Sequence, residues 1–555
     1  MKIILAQQNY HIGNFEHNTQ KIIDGIHAAK VQGADLVVFS ELCVCGYPPR
    51  DFLEFEDFIG QCYHAIDVIK AHTKDIAVLV GSPARNPQRE GKDLFNAAWF
   101  LHEGEVKQVV HKTLLPTYDV FDEYRYFEPS YEWNIIPFKG KKLAVTICED
   151  IWNLGNNPLY RVCPMDVLMA QEPDVMINLS ASPFDYDHDE DRKEIIRANV
   201  LKYKLPMYYC NTVGSQTEIV FDGGSLIFDA AGNVAKVLPY FTEALDGMDL
   251  EDLLSKGTAV AATPTFTPLT ELVFDHNIHR IYDALVLGIR DYFSKMGFKK
   301  AILGSSGGID SAVVLAIACD ALGSENVRAV LMPSPYSTDH SVNDAVALSK
   351  NLNNPYDIIR INDIYENFLT TLEPYFKGLP FNVAEENTQS RIRGNLLMGL
   401  SNKFGYILLN TSNKSELSTG YGTLYGDMAG GLSVLGDVYK MQVYALARYI
   451  NREREIIPVN IIEKAPSAEL RPNQKDSDSL PDYTVLDKLL YQYIERRQGP
   501  KEIIAQGFDS ALVSRALKMV NTNEYKRNQF CPIIRVSSKA FGVGRRMPIV
   551  GKYLS

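Results

Sequence analysis

Residues 302–323 read ILGSSGGIDSAVVLAIACDALG: an apolar run, a turn of Ser and Gly, then a second apolar stretch of helical character. This is strand, loop and helix in succession, and the loop decides what the unit can hold. Gly307 and Gly308 let the backbone come close to a bound group, and Ser305, Ser306 and Ser311 offer hydroxyls. The helix that follows aims its unpaired N–H groups back into the turn, so the turn suits an anion, phosphate above all. It lacks the G-K-[ST] of a Walker loop and the G-x-G-x-x-G of a dinucleotide fold, which disfavours γ-phosphoryl transfer and Rossmann-type dinucleotide binding.

Working outward, KKAILG (299–304), VRAVLMP (327–333), YDIIRI (356–361) and YILLNT (406–411) read as buried parallel strands between helices, with a helix over HNIHRIYDALVLGIRDYFSKMG (276–297) in front. The first half of the chain repeats another set of short β-branched runs, KIILAQ, ADLVVFS, IAVLVGS, KLAVTIC, DVMINLS and MYYCNTV. Between the halves, SKGTAVAATPTFTPLTEL (255–272) is rich in Thr, Ala and Pro without periodicity and reads as a linker. The expected division is a first domain over 1–255, a linker over 256–272 and a second domain over 273–555. Two α/β domains also suit 555 residues, because one core stops growing near roughly 250–300 residues.

Composition narrows the class further. Hydrophobic residues at 46% and charged ones at 22% belong to a folded globular chain, and a net charge of −12 argues against a nucleic-acid partner. No stretch approaches the ~20 apolar residues of a membrane span, and the start MKIILAQQNYHIGNFEHN reads as a first strand, not a signal peptide. Eight scattered cysteines fit a reducing cytoplasm, with buried thiols the default and no ligand set for structural zinc.

Three reactive side chains follow strand-like runs: Glu41 in VVFSELCVCGYPP, Lys112 in HKTLLPTYDVFDEYRYF and Cys148 in LAVTICEDIW. Taken singly, a Cys ending a strand is a small buried hydrophobe, and a lone Glu or Lys a solvated charge. Taken together they hold the parts that an amidase would need. A thiol with a pKa near ~8.5 needs a base such as Glu41, and Lys112 supplies fixed positive charge for the oxyanion formed on attack.

The strings SELCVCGYPPRDFL, KTLLPTYDVFDEYRYFEP and TICEDIW, followed by NLSASPF (178–184) and CNTVGSQTEIVFDGGS (210–225), resemble the nitrilase superfamily and its glutamine amidotransferase branch. The resemblance implies an α-β-β-α sandwich, a Glu-Lys-Cys triad on Glu41, Lys112 and Cys148, and glutamine contacts from Tyr118 and Ser182. Members usually carry Lys or Arg six residues after that Ser; this chain has His188 there, within FDYDHDEDRK.

SGGIDS after a strand resembles the pyrophosphate loop of the ATP pyrophosphatases, which implies a Rossmann-like adenine nucleotide α-hydrolase domain with a parallel sheet. ENTQSRIRGN (386–395), ILLNTSNKSELSTGYGTLYGDMAGG (407–431), DVYK (437–440), PSAELRPNQKDSDSLPDY (466–483) and NEYKRNQFCP (523–532) then look like the NAD synthetases. With the amidase half in front, nearly the whole chain is similar to the glutamine-dependent family of those enzymes. That family joins ammonia from glutamine to deamido-NAD through an adenylate, at the cost of ATP cleaved to AMP and pyrophosphate. By motif, Gly304, Ser305, Ser306, Gly307, Gly308, Ile309, Asp310, Ser311 and Thr411 would contact ATP, and Asn387, Glu416 and Lys526 deamido-NAD. Asp310 and Glu416 would hold Mg²⁺, and Lys440 would neutralise phosphate charge. For Lys440 a helix-surface charge is the bland alternative, for Lys526 and Arg527 a solvated basic turn. The YGTLYGDMAGG run reads as a lid over substrate.

Two other readings remain open at this point. One is a pyrophosphate-loop amidotransferase with another acceptor, such as those making GMP or asparagine; the other is a nucleotide-binding scaffold without turnover. The resemblance also implies a homo-oligomer of paired synthetase domains with a glutaminase ring or layer around them. It requires a protected passage for ammonia as well.

Overall fold

The computed structural model describes the chain apart from residues 89, 155–158, 255–268, 473, 479 and 555, and apart from the side chains of 188 and 189. The described residues gather into two units, Met1–Phe184 with His188–Pro268, and Asp185–Asp187 with Leu269–Ser555. Most of the expected linker, 256–272, lies outside the described residues.

The first unit contains two six-stranded sheets. One runs in the order Ala244–Asp249, Lys2–Gln7, Leu36–Phe39, Ala77–Arg85, Leu94–His102, Glu105–His111. The other runs Val234–Val237, Leu226–Phe228, Met207–Asn211, Val175–Ser180, Lys141–Ile147, Ile136–Phe138. Side chains alternate across a strand with period two, and both faces of the central strands are apolar here. Ile3, Leu5, Leu36 and Val38 pack with Leu143, Val145, Val175 and Ile177 of the second sheet. Their neighbours Ile4, Ala6, Val37 and Phe39 meet the helices Phe15–Val31 and Glu56–Lys70 through Ile22, Ile26, Ala65 and Ile66. On the far side, Ala144, Met176, Tyr209 and Phe228 pack on Ile196, Val200 and Tyr203 of the helix His188–Tyr203. The layers are therefore α-β-β-α.

The sequence reading missed the outer strands of both sheets. Leu94–His102 is one of them: LFNAAWFLH is apolar apart from Asn96 and His102 and gives no alternation to read.

In the second unit a five-stranded, wholly parallel sheet runs Tyr356–Ile358, Val327–Leu331, Ala301–Gly304, Ile407–Asn410, Leu432–Ser433. The chain starts in the middle at Ala301–Gly304, winds outward to one edge, then returns to Ile407–Asn410 on the other side of the first strand. That reversal opens a crevice at the carboxyl ends of these two adjacent strands, where ligands of open α/β sheets gather. The helix Ile309–Leu322 packs beneath, buried almost all round from Ala312 to Cys319. One expectation is corrected in part: YDIIRI forms a parallel strand, but a three-residue one at the sheet edge, half-buried and with Ile358 exposed, rather than a buried one.

Candidate active sites

Cys148 follows the strand Lys141–Ile147 directly, in the left-handed region at φ +43°. A residue with a Cβ holds that conformation only where its surroundings compel it, at about 1–3 kcal/mol. Asp150 supplies the compulsion. Its Oδ1 accepts the N–H groups of Thr113 (3.0 Å) and Leu114 (2.9 Å), and its Oδ2 accepts that of Ile147 (3.0 Å). Burial raises the Asp150 carboxyl to about 6, with these N–H donors opposing. One carboxylate thus ties the turn of the thiol to the segment that carries Lys112.

Glu41 and Lys112 sit behind that turn, both fully withdrawn from water. The Lys112 ammonium donates to Glu41 Oε1 at 2.7 Å and to both oxygens of Glu123 at 2.9 and 2.8 Å. Asn96 donates to Glu41 Oε1 (2.7 Å) and to Glu123 Oε2 (3.3 Å), the Ala181 N–H to Glu41 Oε2 (3.1 Å), and Tyr47 to Glu123 Oε1 (2.8 Å). Burial works against the lysine charge, but Glu123 and Glu41 hold its pKa well above the usual value. Glu123 itself is pushed up to about 7 by burial and by Glu41, against Lys112.

The Cys148 thiol lies within electrostatic reach of this cluster. Burial raises its pKa well above the ordinary value, Glu41 and Glu123 add to that, and Lys112 opposes. It rests protonated, and a base must take its proton as it attacks. Glu123, Asn96 and Tyr47 did not emerge from the sequence. Glu123 is one of three acids in YDVFDEYRYF, with Asp119 and Asp122, and only the fold selects it by burial.

The expected glutamine contacts divide. Tyr118 donates to Glu149 Oε1 and Oε2 at 3.1 and 3.0 Å, and Tyr160 donates to Glu149 Oε1 at 3.1 Å. Glu149 is buried beside the thiol and its pKa is raised by burial, making it a further candidate that sequence reading left out. Ser182 is buried, with its N–H on Asn211 Oδ1 at 2.9 Å. His188 opens the helix His188–Tyr203, and its side chain lies outside the described residues. Arg192, one turn on, is held by Asp222 at 2.9 Å and by the Gly223 carbonyl at 3.1 Å.

In the second unit a cavity of about 280 Å³ opens at the crevice, lined by Gly304 to Ser311, Thr411, Glu416 and Lys440. Gly307 has φ +79°, and a Cβ there would lie 2.3 Å from the Ser341 carbonyl oxygen, so only glycine fits. Ser311 accepts the Ser306 N–H (3.3 Å) and donates to the Gly308 carbonyl (3.1 Å), fixing the loop. The Ser305 hydroxyl is buried without a partner among the described residues. No side chain caps the helix Ile309–Leu322, which leaves its first N–H groups to the cavity.

Asp310 and Glu416 come together around Lys440. The ammonium is 2.5 Å from Asp310 Oδ2 and 3.6 Å from Glu416 Oε1, and Asn413 donates to Asp310 Oδ1 at 2.9 Å. Lys440 is buried, which removes the helix-surface alternative. Burial and Asp310 push the Glu416 carboxyl up to about 8, against Lys440. Asp476, also on the cavity wall, feels the same lysine.

Asn387 and Lys526 meet elsewhere, on the turn after Glu416. Asn387 Oδ1 accepts from Thr423 (2.7 Å), and Lys526 donates to the carbonyls of Gly420 (2.7 Å) and Gly422 (2.9 Å). Arg527 is buried on Glu524 and donates to the Leu417 and Ser418 carbonyls, so this is no solvated turn. The YGTLYGDMAGG run is fastened rather than free. Asn410 donates to the Asp427 and Ala429 carbonyls, Asp427 accepts the Thr423 N–H, and a Cβ on Gly430 would lie 2.7 Å from that of Asn410. Gly426 and Gly430 serve close approach, and Tyr421, Asp427 and Ala429 of the run line the cavity.

Among proteins of known activity, the chain matches the carbon-nitrogen hydrolase family over residues 2–253 and the NAD synthase family over residues 281–530. It is 44% identical over 554 residues to the glutamine-dependent NAD(+) synthetase of Synechocystis sp., covering 99% of this chain and 98% of that protein. The Thermotoga maritima protein of the same name is 40% identical over 579 residues, covering 100% and 99%. The solved structure of the Acinetobacter baumannii glutamine-dependent NAD+ synthetase in complex with ADP superposes with a TM-score of 0.76 at 39% identity, covering 99% and 98%.

Proposed function

We infer the division of labour between the two sites from one premise: this chain belongs to the glutamine-dependent NAD(+) synthetase family. It amidates deamido-NAD to NAD with nitrogen taken from glutamine, and ATP drives the step. The residue roles that follow are our reading of the two sites.

In the first unit Glu41 takes the thiol proton as Cys148 Sγ attacks the amide carbon. Lys112 faces the oxygen that becomes negative, and the ammonium is already oriented by two carboxylates, so little reorganisation is needed at that moment. Glu123 and Asn96 hold Glu41 and Lys112 in register. Glu41 passes the thiol proton to the nitrogen, ammonia leaves, and water then releases glutamate from the thioester with Glu41, again ionised, as base. Tyr118, Ser182 and Glu149 bind the glutamine; the buried Glu149 carboxylate suits its α-ammonium.

In the second unit the 304–311 loop and the first turn of Ile309–Leu322 receive the triphosphate, with Thr411 beside it. Asp310 and Glu416 set two carboxylates against the single ammonium of Lys440, and that excess of hard oxygen donors suits Mg²⁺. When bound, Mg²⁺ neutralises charge on the phosphates. Lys440 orients Asp310 and offsets the charge left on pyrophosphate. Asn387 and Lys526 shape the 420–423 turn against which deamido-NAD would lie. Domains over 1–255 and 273–555 joined by a 256–272 linker remain our division of the chain.

One observation carries this reading: Lys112 is locked between Glu41 and Glu123 beside Cys148, on the same chain as a glycine loop that no side chain caps. The test is stoichiometry. NAD, glutamate, AMP and pyrophosphate should form in equal amounts, and ATP cleavage should require deamido-NAD. ADP in place of AMP, or equal turnover with another carboxylate acceptor, would refute it.

Assembly is the second part of the proposal. Phe368, Tyr375, Leu379, Phe381 and Val383 are exposed on the helix Asn362–Phe376, the turn that follows it and the start of the helix Val383–Phe404. A patch of this kind marks an interface, and a second copy of the chain is its simplest cover. Sedimentation velocity should show an oligomer at micromolar concentration; a monomer there would rule the interface out. Among the described residues no helix is long and apolar enough to cross a membrane. The eight thiols are unpaired, as suits a reducing cytoplasm.

A further inference from the structure

The adenylation step brings two anions, a carboxylate and the α-phosphate of ATP, to bonding distance. Their repulsion has to be met where they touch. Three cationic side chains line the cavity: Lys440, Lys464 and Arg393. Lys440 is engaged by Asp310 and Glu416, and Lys464 by Glu469 at 2.6 Å. Arg393 differs. Its Nε–H donates to the Met332 carbonyl at 3.0 Å, and its terminal NH₂ groups have no acceptor among the described residues. The residue is half-buried; burial lowers its pKa, and Asp427 and Glu469 oppose that.

Its helix, Val383–Phe404, sets it between the two substrates. Asn387, Ser390, Gly394 and Leu397 recur at spacings of three and four and so share one face. Asn387 grips Thr423 at the deamido-NAD turn. Leu397, with Met332, closes on Gly304 at the apolar end of the nucleotide cavity, their methyl groups 3.4 and 3.3 Å from where a Cβ on that glycine would stand. Arg393 lines the cavity between these two ends, one turn beyond Ser390.

We propose that Arg393 is a catalytic residue of adenylation, its free NH₂ groups binding the α-phosphate and the incoming nicotinate carboxylate at the point where they meet. A carboxylate oxygen forms the bond to the α-phosphorus, and the bond from that phosphorus to the α,β-bridging oxygen breaks. Pyrophosphate leaves with the electron pair, and no proton has to move. Arg393 holds the charge that passes through the transition state, and its planar fork spans two oxygens where a lysine would reach one. This rests on the cavity being the adenylation site, as proposed above.

The experiment uses the full chain carrying Arg393→Ala or Arg393→Lys. The readouts are pyrophosphate release from ATP and deamido-NAD in one turnover without a nitrogen source, KM for each substrate, and basal glutamine hydrolysis as a control for folding. R393A should lower the release rate by about 100-fold or more with KM changed less than about five-fold, R393K should restore about ten-fold of that loss, and glutamine hydrolysis should hold within about two-fold. Release by R393A within about five-fold of the unsubstituted chain, or a change confined to KM, would overturn the proposal. Where R393A does not fold, the R393K rate decides, since a value equal to that of the unsubstituted chain excludes the need for a fork. Absence of release from the unsubstituted chain would overturn the reading of the cavity as well.

Discussion

Cys148→Ala is expected to abolish glutamine-supported NAD formation, by about 10⁴-fold or more, while NAD formation from added ammonium stays within about two-fold of the unsubstituted chain. The magnitude follows from removing the only atom that forms the covalent intermediate; Glu41 and Lys112 remain but have nothing to deprotonate and no oxyanion to hold. The clean partition follows from the geometry. Alanine keeps the Cβ, so the φ +43° turn is no more strained than with cysteine, and Asp150 still ties it to Thr113 and Leu114. Parallel assays with glutamine and with ammonium chloride measure both arms. Equal loss in the two would mean that residue 148 is needed for the fold or for the synthetase step, and the role given to the thiol would be wrong.

Much of that site is legible in the amino-acid sequence, because its reactive groups each follow a strand: Glu41 after LVVF, Lys112 after EVKQVVH, Cys148 after KKLAVTI. What cannot be read there is what burial decides. CEDIW offers two acids in succession; Asp150 spends both oxygens on backbone N–H groups, while Glu149 takes two phenol hydroxyls. Nothing in the composition of that string assigns the one to structure and the other to a ligand.

The second unit repeats the lesson at helical period. Arg391 and Arg393 both stand in ENTQSRIRGN, and two residues along a helix place them on nearly opposite sides. Arg391 is exposed and donates to the Leu424 carbonyl, whereas Arg393 turns into the cavity. Lys440 carries the same ambiguity, since a lysine opening a helix belongs to solvent by default; here the two carboxylates around it and the packing of Tyr483 draw it inward. The YGTLYGDMAGG run carries a different ambiguity. Glycine permits mobility and close packing equally, and only the partners of Asn410 and Asp427 tell which applies.

The complementary substitution is Asp310→Asn. It keeps the shape of the side chain and an acceptor for Asn413, but it removes the charge that lies 2.5 Å from Lys440 and, on the proposed reading, one of the oxygens for Mg²⁺. Synthesis from glutamine and from ammonium should fall together, by about 10²–10³-fold, because both routes pass through the same adenylation. Glutamine hydrolysis without nucleotide should be unchanged within about two-fold, since Asp310 and the Cys148 cluster belong to different units of the chain. The two variants make a pair: C148A separates the nitrogen sources and D310N does not, while D310N separates hydrolysis from synthesis. If D310N instead lost only the glutamine-supported reaction, charge at residue 310 would be acting on the transfer of ammonia and not on ATP. The glycine loop would then need another partner for its phosphate. Assaying D310N with ammonium over a range of Mg²⁺ sharpens the result, because a lost oxygen ligand raises the Mg²⁺ needed for half-maximal rate, whereas a lost partner of Lys440 alone does not.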